Sequence, residues 1–284
     1  MTTLKEMLAL VRSRLAGAGV EDPMAEARIL VGGLLDLGRT DLITRGEDRV
    51  APEDEVRIFH ATDRRVAGEP PYRILGRRGF HGIELRLSRD TLEPRPDTEV
   101  LVDLVLDLVS ERRNELLEIL DLGTGTGAIC LALLANLPLA QGTGTDLAQG
   151  ALDTAKDNAA LNGLSDRFGT TRSNWFEAVS GLYDVIVSNP PYIRSDIVPT
   201  LDREVREHDP LLALDGGTDG LDAYRVIARD AGRFLNPSGL VAVETGYDQK
   251  ATVRAVFESA GFQEVAARAD LAGHDRAQVF RAVC

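Results

Sequence analysis

A glycine-rich segment between two apolar runs constrains the fold of this chain more than any other feature. The segment "ILDLGTGTGAICLAL" (119–133) begins as an aliphatic strand, passes through glycines 123, 125 and 127, and continues with helical spacing. A glycine turn that joins a strand to a helix is typical of a doubly wound α/β fold. Because glycine has no side chain, the backbone can approach a ligand closely at this turn. The segment therefore predicts a fold class and the edge of the sheet where a ligand binds.

Strands and helices alternate after this turn. The sequence predicts strands at "EILDLG", "GTGTDL", "YDVIVSN" and "GLVAVET", and it predicts helices at Ala128–Asn136, Gln149–Asn162, Leu221–Leu235 and Gln249–Ala260. Alternation of this kind indicates βαβ units and a mainly parallel sheet that is covered on both faces. A last strand, "AQVFRAV", has no helix after it, so it could pair antiparallel.

The beginning of the chain follows a different pattern. Residues 1–72 predict helices only, with Asp22 as an N-cap before Pro23 and a further helix that starts at Pro52. The apolar residues of the first helix share one face: Leu4, Met7, Leu8, Val11 and Leu15. We therefore expect a small helical domain over 1–72, a hairpin linker over 73–92 and an α/β domain over 93–284.

Composition and residue spacing argue against several classes of partner and ligand. The net charge of −13 opposes non-specific binding to nucleic acid, because that binding needs a positive surface. The two cysteines and four histidines have no metal-type or disulfide-type spacing, so neither a metal nor a disulfide framework is expected. No apolar run approaches the roughly 20 residues of a membrane span, and the N-terminus lacks the apolar core of a signal peptide. These features predict a cytoplasmic protein.

The glycine turn alone leaves its ligand open. Asp146 ends the next predicted strand, where it could accept hydrogen bonds from a ribose diol. The pattern D-x-G-x-G-x-G over Asp121–Gly127 suits S-adenosylmethionine, but Gly123, Gly125 and Ala128 also satisfy the nicotinamide pattern G-x-G-x-x-A. A glycine turn without any ligand is the simplest alternative.

The segment "SNPPYI" (188–193) ends a buried strand with unusual stiffness, because neither proline can donate a ladder hydrogen bond. The side-chain oxygen of Asn189 and a main-chain carbonyl such as that of Pro190 could accept both hydrogens of a planar NH₂ group. That arrangement would present the nitrogen to a reactive methyl group, with the ring of Tyr192 against the plane. A rigid turn is the alternative, but the upstream glycine turn favours the chemical interpretation. An oxidoreductase has no use for such a clamp.

Several motifs together resemble a known family. In chain order they are "EPRPDTE", "DLGTGTGAI", "GTDLAQGALDTAKDNA", "SNWFEA", "SNPPYI", "LLALDGGTDGLDAYRVI" and "ETGYDQ". The set is similar to the release-factor glutamine methyltransferases of the HemK type over nearly the whole chain. "NPPY" alone also occurs in adenine-N6 methyltransferases, whereas "PRPDTE" followed by "DGGTDGLDAYR" is more specific. A related family that modifies a ribosomal-protein glutamine usually lacks "PRPDTE".

The resemblance implies an α/β class I methyltransferase with a Rossmann-like, mainly parallel seven-stranded sheet and S-adenosylmethionine as the donor. It implies the glutamine of the Gly-Gly-Gln motif in peptide-chain release factors as the acceptor, methylated at N5, with the helical domain helping to hold the factor. By position, the donor would be held by Gly123, Thr124, Gly125, Thr126, Gly127, Asp146, Trp175 and Asn189. The substrate amide would be clamped by Asn189, Pro190, Pro191 and Tyr192, of which Asn189, Pro190 and Tyr192 would be catalytic.

Two positions depart from the family pattern. Asn174 replaces an acidic residue before the tryptophan, and Asp209 stands where glutamate is usual. Trp175 would pack on the adenine, although a lone tryptophan beside Phe176 could equally be a core residue. The charges of "LDREVREHDP" (201–210) are expected on a solvated surface without a catalytic role.

Rival functions remain open at this point. Adenine-N6 methylation offers the same NH₂ geometry, but it conflicts with the net charge and the absence of a basic cluster with interleaved aromatic residues. A non-catalytic donor-binding scaffold would not need the amide clamp.

Overall fold

The structure, a computed structural model, describes residues Thr2–Val283 and divides them into two compact units. The helical unit contains the residues up to Arg77 and, separately, Arg203–His208. The sheet unit contains Arg78–Asp202 and the residues from Asp209 onwards. The domain boundaries at 72 and 92 and the substrate-holding role of the helical domain stay predictions.

The helical unit is built on capped, amphipathic helices. Its helices are α1 (Leu4–Gly17), α2 (Pro23–Leu35), α3 (Arg39–Thr44), α4 (Pro52–Val66), α5 (Pro71–Leu75) and, much later in the chain, α9 (Arg203–His208). Thr3 accepts from the Glu6 N–H and Glu6 accepts from the Thr3 N–H, which completes a capping box for α1. Asp22 caps α2 and Pro23 takes its first position, as the sequence predicts.

The helical unit has its own apolar core. The predicted face of α1 is buried at Leu4, Met7, Val11 and Leu15 and packs with residues of α2 and α4 that include Leu30 and Ile58. In α4, Arg65 is also buried, and it forms ion pairs with Glu26 of α2 and Glu204 of α9. Glu204 is therefore a structural anchor within segment 201–210, which was expected to be a solvated surface.

The sheet unit begins with a hairpin. Strands β1 (Arg77–Phe80) and β2 (Ile83–Arg86) form a two-stranded sheet. The residues between them, His81 and Gly82, both have positive φ, which suits a tight type I′ turn.

A seven-stranded sheet follows, in the order β5-β4-β3-β6-β7-β9-β8. Its strands are β3 (Glu118–Leu122), β4 (Gln141–Asp146), β5 (Phe168–Arg172), β6 (Tyr183–Ser188), β7 (Leu235–Glu244), β8 (Phe262–Ala269) and β9 (Asp275–Ala282). All neighbours from β5 to β7 pair in parallel, and β9 pairs antiparallel with both β7 and β8. The helices are α6 (Glu99–Leu108), α7 (Ala128–Asn136), α8 (Gln149–Leu161), α10 (Asp222–Asp230) and α11 (Lys250–Ser259).

Alternate residues of the central strands face two separate cores. Ile119 and Val185 pack with α6 and α7, whereas Leu120 and Ile186 pack with α10 and α11. Both faces of the sheet are therefore covered, so the strands are apolar throughout rather than alternating. The predicted fold class, a Rossmann-like, mainly parallel seven-stranded α/β sheet together with an N-terminal helical unit, is confirmed.

Some element predictions need correction. The predicted helix Leu221–Leu235 ends at Asp230 and gives way to a 3₁₀ turn at Ala231–Phe234, because the chain must turn into β7. Strands β5 and β8 and helices α3, α5 and α6 were not predicted from the sequence. Within Thr2–Val283, no helix is long and apolar enough to cross a membrane.

Candidate active site

The glycine turn and the strand exit lie at the same edge of the sheet on neighbouring strands. The paired strands β3 and β6 end in register, with Leu122 opposite Ser188. The Ser188 hydroxyl donates to the Leu122 carbonyl at 2.7 Å and ties the two strand ends together. Gly123 and Asn189 are the next residues on each strand, and neighbouring strands lie about 4.8 Å apart. The two sequence motifs therefore meet where a doubly wound sheet binds its ligand.

The glycine turn (Gly123–Gly127) needs its glycines for two different reasons. Gly123, Gly125 and Gly127 all have positive φ, which side chains rarely adopt. A Cβ at Gly123 or Gly125 would point into open space. A Cβ at Gly127 would lie 2.9 Å from Leu131 of α7. The first two glycines therefore leave a cradle beside the backbone, and the third lets helix α7 pack.

Hydrogen bonds from three directions fix the glycine turn. The Thr124 N–H donates to the Thr145 carbonyl of β4 at 2.8 Å, and its hydroxyl donates to Asp121 at 2.8 Å. The side chain of Asn158, fully buried on α8, donates to the Thr126 carbonyl at 2.9 Å. The same amide exchanges hydrogen bonds with the backbone of Arg86 in β2. The turn is thus held in place by its neighbours before any ligand binds.

Asp121 is a buried carboxyl group beneath the glycine turn. Burial raises its pKa to about 7, against hydrogen bonds from the Thr124 hydroxyl and the Cys130 N–H that lower the pKa. Its Oδ1 atom is buried and has no hydrogen-bond partner among the described residues. A buried acceptor in this condition is costly, so it marks a position where a bound donor group would be stabilising.

Asp146 ends β4 beside the turn. Its carboxylate accepts from the Gly125 N–H at 3.0 Å and from the Ala148 N–H at 2.9 Å. Burial raises the pKa of Asp146, although these backbone hydrogen bonds lower it. The acid is therefore oriented by the backbone, and each oxygen keeps lone pairs for further donors.

Trp175 follows β5 in an unusual conformation. Its φ of +52° is rare for a bulky side chain and costs free energy of about 1 kcal/mol or more. The Ser173 hydroxyl donates a hydrogen bond to the Trp175 carbonyl at 2.7 Å, and the Ser173 N–H donates to the Asp146 carbonyl at 3.0 Å. The indole is half-buried beside Phe176, which is fully in the core. The indole also packs against this core, so the adenine contact and the core role of Trp175 both stay predictions.

Asn189 is half-buried at the exit of β6. Its Nδ2 atom donates to the Thr98 hydroxyl at 3.3 Å, which leaves Oδ1 on the other side of the amide group. Pro190 is buried, and Pro191 and Tyr192 are half-buried. Burial and, to a smaller extent, the nearby carboxylate of Glu244 raise the pKa of Tyr192 above its ordinary value, so its hydroxyl stays neutral.

The backbone of Pro191 and Tyr192 is clamped by the turn that precedes α10. A Cβ at Gly216 would lie 2.7 Å from the Pro191 carbonyl oxygen, and a Cβ at Gly220 would lie 2.5 Å from that of Tyr192. The Gln249 amide donates to the Tyr192 carbonyl at 3.0 Å. Two glycines and one amide therefore set the position of the strand exit.

A second buried acid lies behind the strand exit. Burial raises the pKa of Glu244 to about 7, while interactions with the Thr98 hydroxyl and then with Arg276 lower it. The Tyr192 hydroxyl is 3.5 Å from Oε1 of Glu244, and Oε2 has no hydrogen-bond partner among the described residues.

Sequence reasoning missed the residues that support the site: Thr98, Asn158, Gly216, Glu244 and Gln249. All five lie in motifs that carried the resemblance: "PRPDTE", "GTDLAQGALDTAKDNA", "DGGTDGLDAYR" and "ETGYDQ". Their spacing along the chain gave no chemical reason to place them at the site, because only the sheet order brings β7 and the 3₁₀ turn at Pro96–Thr98 beside β6.

The two departures from the family pattern have distinct surroundings. Asn174 is exposed and donates to Glu177 at 2.8 Å. Asp209 accepts from the Glu93 N–H at 3.2 Å and pairs with Arg95 at 2.8 Å, so it anchors the segment that leads to Thr98.

The fold and this edge of the sheet define a class I methyltransferase. A family model described as "Methyltransferase small domain" matches residues 98–203. A methyltransferase of known structure from Pyrococcus furiosus superposes with a TM-score of 0.52 at 16% identity, over 82% of this chain and 100% of that one, which supports the fold alone.

Relatives that match nearly the full length of the chain identify the family within this class of methyltransferases. A second family model, "PrmC N-terminal domain", matches residues 6–76. A release factor glutamine methyltransferase from Agrobacterium fabrum is 54% identical over 98% of this chain and 97% of its own length. Another from Bradyrhizobium diazoefficiens is 46% identical over 93% of this chain and 90% of its own length. The chain belongs to the release factor glutamine methyltransferase family.

Proposed function

We propose that this enzyme transfers a methyl group from S-adenosylmethionine to the side-chain amide nitrogen, N5, of the glutamine in the Gly-Gly-Gln motif of peptide-chain release factors. One observation carries the proposal. The register that pairs Leu122 with Ser188 sets the glycine turn and Asn189 side by side. This supports a donor site and an amide clamp that share one sheet edge, and the relatives are named release factor glutamine methyltransferases.

The residues present fit the donor. The open space beside Gly123 and Gly125 accommodates a ligand against the backbone, with Thr124 and Thr126 fixed on either side of Gly125. Asp146 retains acceptor capacity for ribose hydroxyls, and Trp175 offers a half-buried aromatic face for the adenine. S-adenosylmethionine supplies an electrophilic methyl group whose transfer discharges a sulfonium cation.

Asn189 and Pro190 prepare the acceptor nitrogen. An amide nitrogen is a poor nucleophile because its lone pair is conjugated with the carbonyl group. The Asn189 side-chain oxygen and the Pro190 carbonyl accept its two hydrogens, which fixes the direction of the lone pair and favours a more tetrahedral nitrogen. Positioning of this kind lowers a barrier by several kcal/mol.

Tyr192 and its neighbours exclude water around the acceptor. The phenol ring is half-buried on a core that includes Ile186 and Tyr224, and its hydroxyl is neutral. As the nitrogen–methyl bond forms and the sulfur–methyl bond breaks, the positive charge spreads from sulfur over the methyl group to the amide nitrogen, which then loses one proton. A weakly polar surround favours this dispersed charge. The ring of Tyr192 also gives the planar glutamine amide, held beside Pro191, a flat surface.

Other parts of the proposal concern partners. We expect the helical unit to contribute to holding the release factor, and no nucleic acid, membrane or metal to take part. The cytoplasm, where release factors act, is the expected location.

The test is methyl transfer from labelled S-adenosylmethionine to a purified bacterial release factor and to its variant with the motif glutamine changed to alanine. Label on the wild-type factor and none on the variant establishes the reaction and its acceptor. A glutamine-containing ribosomal protein and an adenine-containing oligonucleotide run in parallel. Label on either of these alone contradicts the proposed acceptor.

A further inference from the structure

Helix α8 is attached to β2 and the residues that follow it by side chains that recur at every fourth position of the helix. Four helix residues advance about 6.0 Å and two strand residues about 6.6 Å, so each of these side chains meets every second residue of the strand. The bonded pairs, in order along α8, are Thr154 with Ser88, Asn158 with Arg86 and Asn162 with Glu84.

The two asparagines bond to β2 as a neighbouring strand would. Asn158 Oδ1 accepts from the Arg86 N–H at 2.7 Å, and its Nδ2 donates to the Arg86 carbonyl at 3.1 Å. Asn162 accepts from the Glu84 N–H at 3.3 Å and donates to the Glu84 carbonyl at 2.8 Å. Because a backbone N–H only donates and a carbonyl only accepts, these partners fix which way each side-chain amide points.

The two amides differ in the partner of their remaining N–H. That of Asn158, which is fully buried, donates to the Thr126 carbonyl of the glycine turn at 2.9 Å. That of Asn162, which is half-buried, donates to the main-chain carbonyl of Asn158 in its own helix at 2.8 Å. Of these two otherwise equivalent side chains, Asn158 is therefore the one that connects β2 to the glycine turn.

We propose that Asn158 is a positioning residue that couples donor binding to the attachment of β2. The inference rests on the proposed donor site at the glycine turn. The two N–H groups of one amide are committed to two carbonyls, one in the turn and one in β2, so a movement at either end disturbs the bond at the other.

The coupling acts in both directions. A donor that lies against the backbone of the glycine turn binds more tightly when the turn is already held in place, because the cost of ordering it has been met before binding. Donor binding must then favour the attached state of β2 by the same factor by which attachment favours the donor. Asn162, which bonds to β2 and to its own helix, provides the comparison within the same chain.

The binding test compares Asn158→Ala with Asn162→Ala, its matched control. Each variant loses two hydrogen bonds to the backbone of β2, and the first also releases the Thr126 carbonyl. By calorimetry, the Kd for S-adenosylmethionine should rise about tenfold in Asn158→Ala and less than about twofold in Asn162→Ala. At saturating donor, kcat should stay within about threefold of the wild-type value in both variants, so the loss should appear in KM for the donor.

A second measurement uses the wild-type protein, and it decides the matter if Asn158→Ala does not fold. In ¹⁵N-labelled protein, saturating S-adenosylmethionine should slow hydrogen exchange of the Arg86 N–H, which Asn158 accepts, about tenfold. Exchange of the Glu84 N–H, which Asn162 accepts, should change less than about twofold. A side chain that only stabilised the fold would not make the protection of Arg86 depend on the donor.

Two results would overturn the inference. One is a donor Kd that rises equally in the two variants, and the other is donor-induced protection that is equal at Arg86 and Glu84 or missing from both. A wild-type protein that binds no S-adenosylmethionine would remove the donor site and the inference with it. The expected difference in Kd together with an unmethylated release factor would leave the inference standing and remove the proposed acceptor.

Discussion

Two carboxyl groups at this site are buried away from water. Asp121 is the next-to-last residue of β3, and Glu244 is the last residue of β7. Each has one oxygen that lacks a hydrogen-bond partner among the described residues. Burial raises the pKa of both to about 7. Such groups reduce the stability of the ionised protein, so they are expected at functional positions rather than in a structural core.

Asp121 gives a stability prediction with a definite sign. Its pKa is raised from 3.8 to about 7, so between these values the folded protein binds more protons than the unfolded chain. The stabilising contribution is complete below the unfolded value and is lost as pH rises through about 7. Asp121→Asn should remove this dependence, so its free energy of unfolding relative to wild type should rise with pH by up to about 1.4 kcal/mol per unit.

Denaturant unfolding at pH 5, 6, 7 and 8, without donor, measures that difference. The increase should level off above pH 8, because the wild-type carboxyl is then ionised. A difference between the two proteins that stays constant across the range would contradict the assigned pKa.

Asn189 gives a prediction for activity. Asn189→Ala removes one of the two acceptors of the clamp, so kcat/KM for the release factor should fall at least about 100-fold, the usual effect of losing one such group. The Kd for S-adenosylmethionine should change less than about threefold, because the glycine turn is untouched. Calorimetry and single-turnover kinetics measure the two quantities. The exposed Asn114→Ala is the control, and equal losses in both variants would argue against the clamp.

At the scale of elements, the turn before α10 acts on the strand exit through backbone contacts. Gly216 has no positive φ, so its lack of a side chain matters only for space. A methyl group there would meet the Pro191 carbonyl oxygen at 2.7 Å and the Tyr192 Cα at 2.8 Å. Backbone atoms cannot rotate away, so the strand exit itself must shift.

Gly216→Ala should therefore lower kcat about tenfold or more and cost about 1–3 kcal/mol of stability. Gly169→Ala, in β5, places its methyl group in open space and should do neither. Initial rates and urea unfolding of the two variants decide the matter. Unchanged kcat in Gly216→Ala would show that the strand exit tolerates displacement.

The same scale shows what the sequence could and could not predict. The central strands β3 and β6 are buried on both faces, so their aliphatic runs were plain, and helix α7 matches its predicted bounds. Strand β5 reads "FGTTR" and lies at the edge of the sheet, so it carries little apolar pattern. The apolar residues of helix α6 directly follow the motif "PRPDTE", so they were not recognised as a separate helix.

The site follows the same division. Glycines 123, 125 and 127 and Asn189 could be recognised because their neighbours along the chain explain them. Thr98 and Glu244 could not, because they lie 91 and 55 residues from Asn189 in sequence, and only the fold brings Thr98 to Asn189 and Glu244 to Tyr192. Neighbouring residues in the sequence report local chemistry, whereas contacts between distant elements require the fold.

At the scale of the whole molecule, one buried cation holds a distant segment of chain. Arg65 is almost fully buried, bonded to Glu26 and to Glu204 of α9. Arg65→Met keeps most of the side-chain volume but removes the cation that pairs with Glu26 and Glu204. The free energy of unfolding is therefore expected to fall by about 1–3 kcal/mol. Arg14→Met removes the exposed pair with Asp63 and should cost less than about 1 kcal/mol.

Thermal unfolding and limited trypsin digestion test this difference. Cleavage after Arg203 or Arg206 should accelerate in Arg65→Met and not in Arg14→Met, because only the first variant releases α9. Equal digestion rates would show that α9 is held by other contacts.

The position of helix α9 in the sequence limits which segments can be exchanged between two relatives of this protein. The chain passes from the helical unit to the sheet unit after Arg77, returns for Arg203–His208, and leaves again before Asp209. A chimaera that exchanges only the N-terminal residues between two relatives would therefore carry one foreign helix, with Glu204 facing a partner with which it did not evolve. Exchange of 203–208 together with the N-terminal part keeps the pair intact. The two chain segments that form the helical unit are therefore separated in the gene and must be exchanged together.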